Sequence, residues 1–258
     1  QQSIEVKTVL SILATLFLLI PYCYIPGAFI VFIVKERISK SKHLQLVSGV
    51  NMTSYWAATY LWDLTLFFIL TVAVMVVFLM YGAESAQVFV GDAETFFASM
   101  ALTFGYGMSI LPFAYLFARN FNNPSSAQIA VIGVIFITGF VAINAYFIMS
   151  TIDSTQDIAD SLQPLFRMWP AYNVGEGFIQ LATSFWEREI LGSKKRPFDW
   201  DVTGRSLVLL YGLAPVYFLI LLLLEYSEDG GSGGVVGRSL RYARGSYERM
   251  MLSWYGVR

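Results

Sequence analysis

The residues with the most chemical potential crowd into one short stretch, KERISKSKHLQLVSGV, from Lys35 to Val50. It carries Lys35, Arg37, Lys40 and Lys42 against Glu36, together with the chain's single histidine, His43. Cations at this density suit ionic docking rather than catalysis, because no nucleophile stands nearby with a base to activate it. The rest of the chain fares no better as chemistry. One histidine and one cysteine, Cys23, cannot assemble a zinc set or an internal disulfide. The stretch GGSGGVVGRS, Gly230 to Ser239, looks like a phosphate loop but needs Gly where Ser232 stands and Lys where Arg238 stands. No catalytic residue and no metal or nucleotide site is therefore expected within these 258 residues. With a net charge of −1, bulk charge points to no partner, and no nucleic-acid partner is expected.

Long apolar runs must position that basic stretch. The chain is 56% hydrophobic and 14% charged, against about a quarter charged in ordinary soluble domains. Five runs approach the roughly 20 apolar residues that a bilayer core requires: about 8–34, 54–81, 95–118, 126–150 and 206–224. The first holds sixteen Leu, Ile, Val or Phe residues, which favour insertion by about 5–10 kcal/mol. Pro21 and Pro26 are expected to kink or break its helix. Gly105, Gly107, Gly133 and Gly139 in the third and fourth runs are expected at close helix contacts. Asp63 is the one intramembrane charge, and thirteen Leu, Ile, Val or Phe residues outweigh its cost of at most about 3 kcal/mol. Two partners stand open for it: a basic group such as Lys40 or Lys42, or a lipid headgroup.

Charge in the short connections sets orientation. Residues 35–53 are basic, whereas residues 82–94 hold Glu84, Asp92 and Glu94 with no Lys or Arg. The excess of positive charge on cytosolic loops puts the first inside and the second outside. Five crossings then leave the N-terminus exterior or lumenal and the C-terminus cytosolic. The first residue is Gln and no charged leader precedes the first run, so no signal peptide is expected and a longer parent chain is.

Three segments lie outside the spans. The pattern predicts a cytosolic helix over 36–47, with Glu36 and Lys40 paired one turn apart and Gly49 as its left-handed stop. Its Leu44, Leu46 and Val47 would face a partner or the bilayer surface, while the plainer reading is that its cations merely set topology. Exterior residues 160–191 show two apolar stripes, Leu162, Leu165, Phe166 and Trp169, then Phe178, Leu181, Ala182 and Phe185. Trp169-Pro170 separates them, and Asn173 with Glu176 resembles a capping box for the second helix. Each helix is expected to be too short to cross, at about 16 residues or about 24 Å. Two pictures fit: a hairpin re-entering the outer leaflet, or an exterior pair packed on another domain. Residues 227–258 read as a cytosolic linker and tail, with a short amphipathic helix as the alternative.

Several motifs carry a resemblance. Lys35-Glu36-Arg37, Lys42-His43-Leu44-Gln45, Ser48-Gly49, Tyr55-Trp56 and Trp62-Asp63 are similar to the coupling-helix region of the A subfamily of ATP-binding-cassette transporters. Farther on, Trp169-Pro170 before Gly175-Glu176-Gly177, and Trp200-Asp201 before Gly204-Arg205, resemble the exterior hairpin and last-span entry of that subfamily. The resemblance covers about 35–226 with its elements in order. It implies an all-α membrane protein of five transmembrane helices, a re-entrant exterior hairpin and a cytosolic coupling helix. It would be spans two to six of one transporter half, lacking the first span, exterior domain and nucleotide-binding domain. Lys35, Glu36, Arg37, Lys40, Lys42, His43, Leu44, Ser48 and Gly49 would contact that nucleotide-binding domain, with 119–126 as a second contact. Implied partners are membrane lipid, a nucleotide-binding domain and a second transmembrane half, in the same or another chain. ATP and Mg would be bound in the missing domain, where any ATPase activity would also reside. The expected function is the transmembrane part of an ATP-driven lipid transporter. The competing reading is a non-enzymatic scaffold subunit without transport activity.

Overall fold

In a computed structural model the described residues are 2–81, 84–152 and 154–229, and they are helical throughout their regular elements. Among the described residues ten α-helices follow one another: α1 (Gln2–Ile38), α2 (Ser41–Val47), α3 (Met52–Tyr81), α4 (Glu84–Val90) and α5 (Ala93–Ala118), then α6 (Pro124–Phe136), α7 (Ala142–Thr151), α8 (Gln156–Phe166), α9 (Pro170–Leu191) and α10 (Arg205–Asp229). Five segments of these described residues are long and apolar enough to cross a membrane: Phe17–Ile38, Met52–Met80, Ala93–Ala118, Pro124–Ser150 and Trp200–Ser227. The segment expected as a tail is helical through Asp229, and its remainder, 230–258, lies outside the described residues.

The bundle is organised around α5, against which α1, α3, α9 and α10 all pack. Leu102, Tyr106, Ile110, Leu111, Ala114 and Tyr115 of α5 are fully buried. Its N-terminus is closed by Asp92, whose carboxylate accepts from the Thr95 N–H at 2.6 Å.

Of the kink or break expected at the prolines, the break does not occur; α1 runs unbroken through Pro21 and Pro26. A proline takes the N–H away from the carbonyl four residues back. For Pro26 that carbonyl belongs to Tyr22, and the buried Tyr106 hydroxyl donates to it at 2.8 Å. The same device recurs in α5, where Pro112 strips Met108 and the Tyr60 hydroxyl donates to the Met108 carbonyl at 2.9 Å. Neighbouring helices thus supply the lost donors, which lets proline persist in a membrane helix.

The fourth span is two helices joined by a π-helical turn, Ile137–Val141. At Gly139 an added Cβ would meet the Ala171 Cβ at 2.8 Å, so the turn lies directly on the start of α9. Gly105 and Gly107 also make close contacts, against Tyr211 and Phe67. Gly133 does not, for nothing lies within 4 Å of an added Cβ there.

The elements between the spans differ from expectation in three ways. Within 82–94, the short helix α4 buries Ala86, Val88 and Phe89. In α8 the expected stripe ends early, because Trp169 sits beyond the helix in extended backbone, as a residue before proline must, and Leu165 is 52% exposed. Helix α9 starts at Pro170, three residues before Asn173, and has 22 residues. That is about 33 Å, long enough to cross by length alone, but α9 is not among the five apolar spans. Its stripe holds: Phe178, Leu181 and Ala182 are fully buried, and Gly192 ends it at φ 64°.

Candidate functional site: a basic turn tied to four helices

The expected helix over 36–47 is divided. Glu36 and Arg37 complete α1, Lys40 takes a left-handed conformation at φ 58°, and α2 begins at Ser41. Left-handed backbone is costly for a residue with a Cβ, and it reverses the chain between the two helices. Gly49, at φ 103°, then frees the chain to enter α3.

The division sorts the candidate residues into two sets. Glu36, Arg37 and Lys42 turn inward. Arg37 donates from Nη1 to the Arg119 carbonyl and from Nη2 to the Ala118 carbonyl, both at 3.0 Å, and also to the Phe121 carbonyl. The Ala118 and Arg119 carbonyls lie at the C-terminal end of α5, where carbonyls lack donors from a following turn of helix and a cation also favours the helix dipole, and Phe121 lies just beyond it. Glu36 accepts from the Tyr55 hydroxyl at 2.7 Å, rather than pairing with Lys40. Lys42 donates to the Glu225 carboxylate of α10 and lies 4.8 Å from the Trp56 ring centroid. Lys35, Lys40, His43, Leu44, Ser48 and Gly49 stay exposed, as does Val47, with Leu44 at 67% and Val47 at 72%.

Glu225 was invisible to the reading of the spans, which ended one residue short of it. It is 7% exposed and also faces Arg119 Nε at 3.6 Å. The available signal was an acid directly after the uncharged run 206–224, a costly placement that calls for a partner.

Asp63 pairs with neither Lys40 nor Lys42. It lies three turns into α3, 8% exposed, and accepts from the Tyr115 hydroxyl at 2.6 Å. Lys42 is held at the helix entrance by Glu225, out of its reach. Tyr115 in turn packs on Trp56, with ring centroids 5.6 Å apart, so aromatic rings connect the basic turn to the buried acid.

At the opposite end, Glu176 serves no capping box. Asn173 instead donates to the Arg167 carbonyl at 2.6 Å, and Glu176 accepts from Arg167 Nε at 3.1 Å and Nη2 at 2.8 Å. Gln163 Nε2 at 3.3 Å and Arg205 Nη2 at 3.2 Å complete its shell. One buried carboxylate thereby joins α8, α9 and the first residue of α10. Partial burial disfavours the Arg167 charge, but the hydrogen bond to Glu176 and the charge of that carboxylate, with smaller contributions from Tyr172 and Tyr146, together outweigh this and raise its pKa. The flanking glycines bring α9 in close: an added Cβ at Gly175 would meet Ile143 and Leu19, and at Gly177 would meet Leu102. Trp169 and Pro170 open the helix as N-cap and first residue. Gly204 fits the π-helical turn Trp200–Gly204, where a Cβ would come within 2.9 Å of the Phe198 carbonyl.

Among the described residues no group of three or more His, Cys, Asp or Glu could hold a metal ion. What the geometry can do is mechanical: the basic turn that joins α1 to a small exposed helix is fastened through Glu36, Arg37 and Lys42 to the ends of α3, α5 and α10.

Comparison with known proteins agrees. The family described as ABC-2 family transporter protein matches residues 2–223. ATP-binding cassette sub-family A member 2 of Homo sapiens is 28% identical over 84% of this chain, which covers 9% of that protein. ATP-binding cassette sub-family A member 7 of Rattus norvegicus is 30% identical over 84% of this chain and 10% of its own length. The retinal-specific phospholipid-transporting ATPase ABCA4 of Bos taurus is 28% identical over 79% and 9%. The chain thus spans about a tenth of the length of these relatives. It is a multi-pass integral membrane chain that belongs to the ABC-2 transporter family, in its A-subfamily branch.

Proposed function

We propose that this chain couples ATP hydrolysis, performed by a nucleotide-binding domain, to the movement of lipid across or out of a membrane. One observation carries the reading: α2 exposes Leu44 and Val47 while its neighbours Arg37 and Lys42 are fastened into the bundle. An outward apolar surface on an inward-wired helix suits a part that is pushed. The nucleotide-binding domain would seat on Leu44, Val47, His43 and the exposed Lys35 and Lys40, with 119–126 as a second contact. It would also bind ATP and Mg.

Orientation follows from charge. The end of the bundle that carries the basic turn is cytosolic and the end with Asp92 and Glu94 exterior. The hairpin of α8 and α9 re-enters the outer leaflet, supported by its buried Phe178, Leu181 and Ala182 stripe. Helix α3 exposes Leu61, Ile69, Val76 and Val77, an apolar wall suited to acyl chains. A second transmembrane half, in this or another chain, completes the path.

The test is Leu44→Asp with Val47→Asp in the complete transporter reconstituted into liposomes. Lipid-stimulated ATP hydrolysis is expected to fall about tenfold, within the usual span of coupling between two sites. Unchanged stimulation would remove α2 as the docking element.

A further inference from the structure

Helix α2 is poorly held by packing. None of its residues is buried, Leu46 is its one apolar side chain packed partly on the core, and Lys42 lies over the Trp56 ring. Two chain ends and one ion pair do the rest. That pair joins Lys42 to Glu225, 183 positions away. Both side chains are largely withdrawn from solvent, at 15% and 9% exposure. The other carboxylate oxygen faces Arg119, at the end of α5, whose carbonyl Arg37 also holds. Glu225 therefore sits where α2, α5 and α10 meet, one carboxylate against two cations.

We propose that Glu225 is a positioning residue that joins α2 to the ends of α5 and α10, so that a push on α2 moves those two helices with it. This rests on the reading of α2 as the docking element. The physical reason is directional. Without the pair, α2 would hang from its two chain connections, and force on it would reach mainly α1 and α3. With the pair, the load enters α10 and, through the extensive contact between α10 and α5, the centre of the bundle. A partly desolvated pair resists extension far better than one in water, because its Coulomb attraction is less screened.

The experiment uses the complete transporter in liposomes and reads lipid moved per ATP hydrolysed, alongside elution as a single folded species. Lys42→Glu alone and Glu225→Lys alone each place like charges together, and each is expected to lower the ratio about tenfold. Lys42→Glu combined with Glu225→Lys restores the pair while setting a cation against Arg119, and is expected to recover part of the ratio lost in Glu225→Lys alone. A purely structural role would change yield but not the ratio among folded molecules. If a single reversal fails to fold, Glu225→Gln keeps the shape while removing the charge, and a lowered ratio is again expected. A ratio unchanged in the folded Glu225→Gln protein, or a double reversal no better than Glu225→Lys alone, overturns the proposal. Leu44→Asp with Val47→Asp separates the two levels. If that variant is impaired and the Glu225 variants are not, only the positioning role falls; if it is unimpaired, docking on α2 and this proposal fall together.

Discussion

The Tyr106 hydroxyl donates to the carbonyl of Tyr22, the one carbonyl in α1 that Pro26 leaves without a helical donor. The proline in one helix and the phenol on another thus form a single unit. Removing the phenol should cost stability only while the proline is present. Tyr106→Phe is expected to lower stability by about 1 kcal/mol, and by much less in a Pro26→Ala background, where the substituted residue brings back the backbone N–H. Thermal unfolding of the four proteins in detergent measures the coupling. Equal costs in both backgrounds would show that the hydroxyl does something else.

Glu176 is the most heavily bonded acid at the opposite end, with Arg167, Arg205 and Gln163 around it. Glu176→Ala leaves two guanidinium groups facing each other in a partly dry site. The expected loss is about 3–5 kcal/mol, typical of a buried pair that loses one member. Glu176→Gln should lose less, since the amide oxygen still accepts. The yield and melting temperature of the purified protein rank the two. Should both match the parent, the site is wetter than its burial suggests.

Gly139 and Gly133 lie in the same span yet should respond in opposite directions. Alanine at 139 brings two Cβ atoms to 2.8 Å, and neither can rotate away from the other. A loss of about 1–3 kcal/mol is expected. Alanine at 133 meets nothing within 4 Å and improves helix propensity, for a gain of up to about 1 kcal/mol. Melting curves of the two variants decide, and a destabilised Gly133→Ala would place an unseen partner against that face.

Asp92 links pH to the end of the bundle where α5 begins. Partial burial pushes its pKa up, but hydrogen bonds from Thr95 and the charge of Arg188 outweigh burial and hold it below 3.8. A pKa depressed by folding stabilises the protein above the unfolded value, and that contribution fades as pH falls through the folded one. Stability should therefore drop on acidification below about pH 4. Asp92→Ala should cost about 1 kcal/mol at neutral pH, as a lost helix cap does, and should flatten this part of the profile. Melting temperature between about pH 3 and 7, a range that brackets the carboxylate titration, is the measurement for parent and variant.

Much of this protein was legible without coordinates, and the residues show why. The five spans follow from insertion energies that add along a run, so charges such as Asp63 could not hide them. Gly192 ended its helix as expected because a helix stop is decided by local backbone conformation. The motif around Gly175, Glu176 and Gly177 was found, but its purpose was not. Asn173 with Glu176 has capping-box spacing, and spacing alone does not say that Pro170 starts the helix earlier.

What the linear chain determined by itself is the class of protein: apolar runs long enough to cross, a basic connection on one side and an acidic one on the other. These depend on composition within a window, and a window is all that a sequence displays. Tertiary structure alone decided the partners. Lys42 with Glu225, Tyr106 with the Tyr22 carbonyl, and Glu176 with Arg205 are separated by 183, 84 and 29 positions. Each pairing exists because helices meet in space, where a desolvated polar group must find whatever donor or acceptor its neighbour presents.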